Sequence, residues 1–276
     1  MNSSRKLAIG TAQWGLDYGV TNKSGRLEDS VIGALLKSMR ANHISHLDTA
    51  ASYGDSETRI GHLDTTEINI QTKLSAKGAT KAALSLKLQQ SLARLKTDSV
   101  NSLLIHDWFT LDQNEAESVS QFFEFCTKEG LAQNVGISAY ALEDLLSAKE
   151  MLSIWNTAQI PINILDQRFI YAGETFPDIA FQARSIFLQG LLLTSSSEHA
   201  DLIKFHEFCE VAKTNSLDLS LQFIHQQQWL DSVIIAPTSL AEFDQIIRSV
   251  NSVGSAINFE QFASSDSNLT DPRTWN

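Results

Sequence analysis

The chain has 276 residues, which suits one large α/β domain or two small ones. Its 21 basic and 32 acidic residues give a net charge of −11, and no basic block is present. These numbers exclude nucleic acid and anionic membranes as expected partners. The first ten residues, MNSSRKLAIG, lead into a strand-like segment without a signal-peptide pattern, and no apolar run approaches about 18 residues. We therefore expect a cytoplasmic protein.

Short apolar runs alternate with helical patterns along the chain. Most of the runs are apolar on consecutive residues, as expected of strands that are covered on both faces. The predicted strands are residues 6–12, 46–50, 68–73, 100–106, 135–139, 158–164, 184–188 and 233–236. Eight strand–helix units in about 250 residues predict a single-domain α/β protein with the (β/α)8 TIM-barrel fold. This domain spans residues 1–276 and includes a C-terminal tail from about residue 255.

An open, doubly wound sheet is the alternative fold. Such a sheet normally carries a glycine-rich turn after its first strand. Here Gly10 and Gly15 frame the residues TAQW, which do not match G-x-G-x-x-G.

The segments between the strands repeat their apolar residues with the period of a helix. Three apolar stripes show this period, formed by Leu84, Leu88, Leu92 and Leu95, by Val119, Phe122, Phe123 and Cys126, and by Phe243, Ile246, Ile247 and Val250. Asn42 and Asn215 follow helical patterns, and we expect each in the left-handed conformation that ends a helix. Cys126 and Cys209 fit no metal-binding spacing, which predicts reduced thiols.

Ionisable side chains lie at the ends of three successive predicted strands. The second strand leads through Asp48 to Tyr53, the third ends at Lys73, and the fourth ends at His106. In a (β/α)8 barrel the carboxyl ends of the strands form the active site. A structural core would have valine or isoleucine at such positions, so the three strand ends predict a reactive site.

A tyrosine with a lysine, an aspartate and a histidine beside it can act as a proton donor. A free tyrosine has a pKa of about 10, and a neighbouring ammonium lowers it. We therefore expect Lys73 to lower the pKa of Tyr53, with Asp48 holding Lys73 in place and His106 orienting a substrate oxygen. Tyr53 could then protonate a carbonyl oxygen as hydride reaches the carbon.

A metal site is the competing interpretation of this region. His43, His46 and Asp48 form an H-x-x-H-x-D string, and the last two share one face of the strand. His43 precedes the strand, and no carboxylate-rich set surrounds the others. We therefore expect no metal site.

Several segments resemble the aldo-keto reductase family, in particular a bacterial branch. The resemblance is carried by HLDTAASYG at 46–54, IQTKL at 70–74 and LLIHDW at 103–108, supported by GTAQWGLDYG at 10–19, VGISAY at 135–140, QIPINILDQRF at 159–169, ARSIFLQGLLL at 183–193 and DPRTW at 271–275. It implies an NAD(P)H-dependent reductase that converts an aldehyde or ketone to an alcohol, with a small-molecule carbonyl substrate. It also implies catalytic roles for Asp48, Tyr53, Lys73 and His106.

The resemblance further implies binding residues for the cofactor and the substrate. Near the nicotinamide it places Gln159, Ser138, Asn163 and Arg184, the last where many family members stack an aromatic ring. Along the cofactor phosphates it places Ser185, Gln189, Gly190, Leu191, Thr238 and Ser239. The substrate wall would include Trp14, Tyr18, Trp108 and Trp275. Two other interpretations remain open: the aromatic residues could simply plug the barrel, and Arg184 could form an ion pair with Asp166.

The sequence departs from the family where the 2′-phosphate of NADP(H) would bind. Ser239 is present, but Leu240 replaces a cation, and Glu242 and Asp244 add negative charge. Ile246 and Ile247 replace a Glu-Asn pair. We therefore expect NADP(H) as the cofactor with weak preference, so that NAD(H) is also used.

Two functions of other classes remain as alternatives. One is a catalytically silent module of the same fold that binds the cofactor and serves a regulatory or accessory role. The other is an aldolase that forms a Schiff base on Lys73. The short loop expected around residues 108–114 suggests an open cleft that takes a polar, sugar-like carbonyl substrate.

Overall fold

The computed structural model describes residues 6–23, 25–194, 198–250 and 257–275. Eight parallel strands pair in chain order and close into a barrel, because the last strand pairs with the first through Leu7↔Val233. The strands are β1 Leu7–Gly10, β2 His46–Asp48, β3 Asn69–Leu74, β4 Val100–Ile105, β5 Ala132–Ser138, β6 Thr157–Pro161, β7 Ala180–Arg184 and β8 Leu230–Ile235. The predicted barrel is confirmed, and the alternative open sheet is wrong.

Helices of very different lengths connect the strands. They are α1 Ala12–Gly15, α2 Asp29–Ala41, α3 Ser56–Ile60, α4 Lys81–Leu95, α5 Gln113–Lys128, α6 Leu142–Met151, α7 Ala172–Thr175, α8 Ala200–Val211, α9 Ser216–Gln226, α10 Leu240–Val250 and α11 Ser267–Thr270. The stripes on α4 and α5 are buried as predicted, and both cysteines are buried free thiols. No helix among the described residues is long and apolar enough to cross a membrane.

The seventh strand differs from the prediction. The sequence predicted residues 184–188, whereas β7 runs from Ala180 to Arg184 and ends where the predicted strand would begin. Ser185 and Leu188 have φ values of 57° and 48°, and left-handed residues cannot continue a strand. The apolar run after Arg184 therefore packs into the core as a compact turn.

Asn42 and Asn215 also differ from the expected helix ends. Asn42 has a φ of −100°, and the next residue, His43, takes the left-handed conformation with a φ of 59°. Asn215 instead begins a helix, because its side chain accepts a hydrogen bond from the Asp218 backbone N–H at 2.7 Å.

The C-terminal residues 257–275 fold back over the mouth of the barrel, the end at which the carboxyl ends of the strands lie. Arg168, which follows β6, donates to the Thr270 hydroxyl at 3.0 Å. Ser264 donates its backbone N–H to the Leu165 carbonyl at 2.8 Å. The predicted start of the tail, near residue 255, lies outside the described residues.

Two glycines allow the chain around α1 to pass against the turn that follows β2. A Cβ atom on Gly15 would lie 1.9 Å from the Tyr53 carbonyl oxygen, and one on Gly54 would lie 2.3 Å from the Gly15 oxygen. Such distances are far inside van der Waals contact, and the atoms involved belong to rigid backbone. The path of the turn that carries Tyr53 therefore depends on the absence of side chains here.

We predict that Gly15→Ala destabilises the fold by at least about 1–3 kcal/mol, the usual cost of overpacking. Gly33→Ala is the matched control, because Gly33 lies exposed in α2 and an added Cβ meets nothing within 4 Å. The control should gain about 0.5–1 kcal/mol, since alanine is the better helix former. Urea unfolding of both variants measures the two changes. Equal stability of the variants would contradict the tight contact at Gly15.

Candidate active site

Asp48, Tyr53, Lys73 and His106 meet at the mouth of the barrel. The Lys73 Nζ atom lies 2.7 Å from the Asp48 carboxylate, 3.1 Å from the Thr49 carbonyl oxygen and 3.5 Å from the Tyr53 hydroxyl. The Tyr53 and His106 rings meet edge to face, with centroids 5.8 Å apart. The Lys73–Tyr53 distance is at the outer limit of a hydrogen bond, longer than the roughly 2.6–3.2 Å of a tight catalytic contact.

Strand register explains this convergence. Asp48 is paired with Gln71 across β2 and β3, and Lys73 lies two residues beyond Gln71. Residues two apart on a strand point to the same side, so Gln71 and Lys73 both point into the barrel beside Asp48. Asp48 is 4% exposed and Lys73 is 1% exposed. The pair is therefore a buried ion pair, which needs further hydrogen bonds to be stable.

Glutamine side chains supply those hydrogen bonds. Gln71 and Gln159 donate to Asp48 Oδ1 at 2.7 and 2.9 Å. Gln71 and Gln182 exchange two hydrogen bonds of 2.7 and 2.8 Å across the barrel. The nitrogen of Gln159 is already occupied by Asp48, so a nicotinamide carboxamide would bond to the Gln159 oxygen. Gln71 and Gln182 were absent from the sequence prediction, although Gln71 shares the inward face of Lys73.

The pKa of Tyr53 lies above its ordinary value of 10.0, not below it as expected from the sequence. Burial of the phenol is the largest cause, followed by the negative charge of Asp48. The expected lowering is wrong because burial and the charge of Asp48 both disfavour the phenolate, and together they outweigh the opposing charge of Arg184. Tyr53 is therefore protonated at neutral pH and is in the form that donates a proton.

His106 is neutral at physiological pH. Burial lowers the pKa of His106 from 6.5 to about 4, and the nearby charges of Lys73 and Arg184 act in the same direction. The Nδ1 atom lies 3.2 Å from the Ser52 hydroxyl. A neutral imidazole can hydrogen-bond a carbonyl oxygen without competing with Tyr53 as a strong acid.

Arg184 lies at the end of β7 and stacks on Tyr140. Its Cζ atom is 4.1 Å from the ring centroid, and Nη2 donates to the Ala139 carbonyl at 3.0 Å. The alternative ion pair with Asp166 is not formed, because Asp166 pairs with Arg168 at 2.7 Å. Arg184 therefore lies at the mouth of the barrel without an ion pair to Asp166.

The other residues expected near the nicotinamide are deeply buried. Ser138 is 1% exposed at the end of β5. Asn163 is fully buried, and its amide donates to the Ser185 carbonyl and accepts the backbone N–H groups of Leu165 and Asp166. Asn163 therefore shapes the turn after β6.

The segment expected along the cofactor phosphates forms a left-handed turn after β7. Ser185, Gln189 and Gly190 have φ values of 57°, 52° and 94°. Thr21 donates to the Gln189 carbonyl at 3.3 Å, so the turn contacts the long loop after α1. Leu191 packs half-buried against the core and can offer a ligand only its backbone.

A carboxylate occupies the beginning of α10, where the adenosine phosphate is expected. Glu242 accepts hydrogen bonds from the Thr238 backbone N–H at 2.7 Å and the Thr238 hydroxyl at 2.8 Å. The Ser239 hydroxyl accepts the Glu242 N–H at 3.2 Å and thus caps the helix. Ile246 is 5% exposed and faces the core. The Thr238 N–H and hydroxyl and the Glu242 N–H are therefore already bonded within the chain.

The four aromatic residues expected in the substrate wall differ in exposure. Trp14 and Trp108 are 1% and 3% exposed and pack in the hydrophobic core, which favours the alternative that they plug the barrel. Both rings lie on short helical turns that pack them inward. Tyr18 is 42% exposed, and Trp275 is half-buried with its indole N–H bonded to the Asn268 carbonyl at 2.8 Å. These two remain able to contact a ligand.

Arg273 and Phe109 are further residues at the mouth that the sequence did not single out. Arg273 Cζ lies 4.0 Å from the Tyr140 ring centroid and 4.6 Å from that of Phe109. Arg273 belongs to the DPRTW segment, in which only Trp275 was assigned to the pocket. The DPRTW segment was recognisable in the sequence. The position of Arg273 beside Tyr140, however, depends on how residues 257–275 fold back. No three His, Cys, Asp or Glu side chains among the described residues form a metal-binding group.

Comparisons with known proteins agree with this geometry. The model of the Aldo/keto reductase family matches residues 6–267. The chain therefore belongs to the aldo/keto reductase family, a family of oxidoreductases.

Two curated relatives share part of the sequence. D-galacturonate reductase of Fragaria ananassa is 31% identical over 146 residues, which are 43% of this chain and 45% of that protein. Methylglyoxal reductase DkgB of Escherichia coli O157:H7 is 31% identical over 123 residues, 42% of this chain and 46% of that protein. The matched sequence thus spans less than half of each relative.

Solved structures show the same fold over most of the chain. An aldo-keto reductase from Bacillus halodurans in its holo form superposes with a TM-score of 0.78 at 16% identity, covering 98% of this chain and 95% of that one. A thermostable aldo-keto reductase in complex with the inhibitor epalrestat gives a TM-score of 0.74 at 20% identity, covering 93% of both chains.

The lowered pKa of His106 predicts a specific loss of stability in acid. Between pH 6.5 and about 4 the unfolded chain protonates this histidine while the folded protein does not. The unfolded state then binds more protons, so stability falls as the pH is lowered through this window. His106→Asn should lose less stability over this window than the wild type, measured by urea unfolding at several pH values. His225→Asn, at an exposed position of α9, is the control. If the unfolding free energies of wild type and His106→Asn changed in parallel with pH, the lowered pKa of His106 would be contradicted.

Proposed function

We propose that this protein reduces an aldehyde or ketone to an alcohol, with NAD(P)H as hydride donor and Tyr53 as proton donor. The observation that carries the proposal is a protonated, buried phenol beside the Lys73–Asp48 ion pair at the mouth of the barrel. A protein that only bound the cofactor would have no use for a charged lysine at a tyrosine hydroxyl.

The residues around Tyr53 fit a nicotinamide ring. The Gln159 oxygen, the Ser138 hydroxyl and the Arg184 guanidinium converge from neighbouring strands β5, β6 and β7. When bound there, the reduced cofactor supplies a hydride to the carbonyl carbon. The left-handed turn at Ser185, Gln189 and Gly190 and the beginning of α10 would hold the phosphates.

Each member of the catalytic set has a defined task. Neutral His106 donates a hydrogen bond to the carbonyl oxygen and fixes the orientation of the substrate. Tyr53 gives its proton to that oxygen as charge develops on it. The phenolate that remains is stabilised by the Lys73 ammonium, which lies 3.5 Å away in the resting site. Asp48 holds Lys73 charged and in position.

The geometry disfavours a Schiff-base aldolase. The Lys73 side chain has no exposed surface, and its Nζ atom is bonded to Asp48 and to the Thr49 carbonyl oxygen. An amine that forms a Schiff base must be open to the substrate. Borohydride trapping of an aldehyde on Lys73 would favour the aldolase over the reductase.

The substrate we propose is a small, polar carbonyl compound. The loop after β4 is short, because α5 already begins at Gln113. The two curated relatives are named for D-galacturonate and methylglyoxal, both of which are small and polar. A panel of such carbonyls, including keto sugars linked to nucleotides, scanned for cofactor oxidation would identify the class.

We predict that Tyr53→Phe lowers the turnover of a reactive aldehyde by about 10²–10⁴-fold, the usual contribution of a general acid. The Kd for NADPH should be unchanged, since the phenol acts in the transition state. Lys73→Met should also be severe, because it leaves buried Asp48 without its counter-ion. Cofactor absorbance measures turnover, and fluorescence quenching measures the Kd. Full turnover by Tyr53→Phe would transfer proton donation to His106.

We also predict that NADPH is preferred over NADH only weakly. The helix N-terminus of α10 attracts a phosphate, but Glu242 already bonds there and Leu240 supplies no cation. Loss of one charge-assisted hydrogen bond removes about 10- to 100-fold of discrimination. Glu242→Gln should tighten NADPH and leave NADH unchanged, with Glu124→Gln on α5 as control. The Kd values at fixed salt test this. A preference for NADPH above about a thousandfold would reveal a cation that we have not identified.

A further inference from the structure

Two arginines share the ring of Tyr140 at the mouth of the barrel. Arg184 approaches it from the end of β7, with Cζ 4.1 Å from the ring centroid. Arg273 approaches it from the C-terminal tail, with Cζ 4.0 Å from the same centroid. Two like charges at one side chain repel each other, and the ring's electrons and the Asp271 carboxylate beside Arg273 offset part of this repulsion.

Apart from Lys73, Arg184 is a cation whose charge reaches the reacting groups. Its charge contributes to the lowered pKa of His106 and opposes the raised pKa of Tyr53. Among the described residues, no carboxylate lies within 4.0 Å of its guanidinium. Two of its nitrogens contact the Ala139 carbonyl and the Ser185 hydroxyl, which are neutral groups. A half-buried guanidinium without a counter-ion is a strong site for an anion.

Asp271 fixes the position of the Arg273 side chain but leaves its Nη1 atom available to a ligand. Asp271 accepts its Nε hydrogen bond at 2.9 and 3.0 Å and fixes the side chain over Tyr140. Within the part of the chain that the structure describes, the Nη1 atom of Arg273 has no hydrogen-bond partner. The side chain is 36% exposed, so a ligand at the mouth can reach this nitrogen.

The positive charge of the two arginines contrasts with the negative net charge of the whole chain. The net charge of the chain is −11, which repels anions on approach. Arg184 instead brings a positive charge close enough to act on the proton donor Tyr53, and Arg273 shares the Tyr140 ring with Arg184. Guanidinium groups recognise carboxylates by paired hydrogen bonds with fixed geometry.

We propose that the carbonyl substrate carries a carboxylate, which Arg184 and Arg273 bind while its carbonyl meets Tyr53 and His106. This inference rests on the proposed reductase function and names the class of its substrate. A cofactor phosphate has the same charge chemistry and is the other source of an anion for Arg184. The test therefore measures substrate and cofactor separately.

The experiment compares two aldehydes that differ in one charge, 4-carboxybenzaldehyde and its methyl ester. Wild type should have a higher kcat/KM for the acid, by about tenfold. Arg184→Gln and Arg273→Gln should lower kcat/KM for the acid by about 10- to 100-fold, the value of one charged hydrogen bond. For Arg273→Gln the ester should be unaffected within twofold. Arg40→Gln is the matched control, because it removes a similar surface ion pair, with Asp64 at 3.0 Å, far from the mouth.

Further measurements separate the possible failures. Arg273→Lys keeps the charge and should retain most of the preference for the acid, which distinguishes charge recognition from damage to the tail. Binding of benzoate and methyl benzoate by calorimetry needs no turnover. Reduction of neither aldehyde would overturn the proposed function, and the benzoate data would still test the arginine pair. Equal use of acid and ester by wild type, or a changed NADPH Kd in Arg184→Gln with no change in the acid-to-ester ratio, would overturn the carboxylate proposal.

Discussion

The buried ion pair between Lys73 and Asp48 is the interaction on which the rest of the site depends. Removing two charges from water costs several kcal/mol for each ion, and their attraction offsets this only with good geometry and further hydrogen bonds. The barrel provides both, because Gln71 and Gln159 donate to the carboxylate and the Thr49 carbonyl accepts from the ammonium. Glutamines replace the branched apolar residues that usually fill a barrel interior. The polar residues in the barrel interior thus stabilise the ion pair that places Lys73 beside the phenol.

The fold solves the problem of placing Tyr53 in a different way. Asp48, Lys73 and His106 lie at or directly after strand ends. The pairing of neighbouring strands fixes their positions along the barrel axis. Tyr53 lies five residues beyond β2, in a turn whose path depends on backbone-to-backbone contact between Gly15 and Gly54. Three members of the site are therefore positioned by the sheet, and the fourth is positioned by the packing of two loops.

Much of this could be predicted from the sequence, for physical reasons. Parallel strands that are buried on both faces give continuous apolar runs, and their carboxyl ends meet at one rim, so the barrel and the positions of Asp48, Lys73 and His106 follow from pattern alone. The apolar run after Arg184 was mistaken for a strand because its left-handed residues, Ser185 and Leu188, are not glycine. The sequence left two interpretations of Trp14 and Trp108 open, because a large aromatic residue suits a core as well as a pocket.

Other features depend on distances that no sequence pattern encodes. The direction of the Tyr53 pKa shift results from burial and Asp48, which raise the pKa, competing with Arg184, which lowers it, and the outcome requires coordinates. The pairing of Gln71 with Gln182 joins residues 111 positions apart. Arg273 reaches Tyr140 only because the tail returns across the loops after β4, β5 and β6.

That return has a consequence for the order in which the protein is made. Residues 257–275 are synthesised after all eight strands, at about 5–20 residues per second on the ribosome. All eight strands, and with them Asp48 and Lys73, are therefore translated before Arg273. The outer wall of the mouth thus comes from chain that is made later than the reacting groups it borders. A ribosome that stopped before residue 257 would leave Tyr140 without the arginine that the tail supplies.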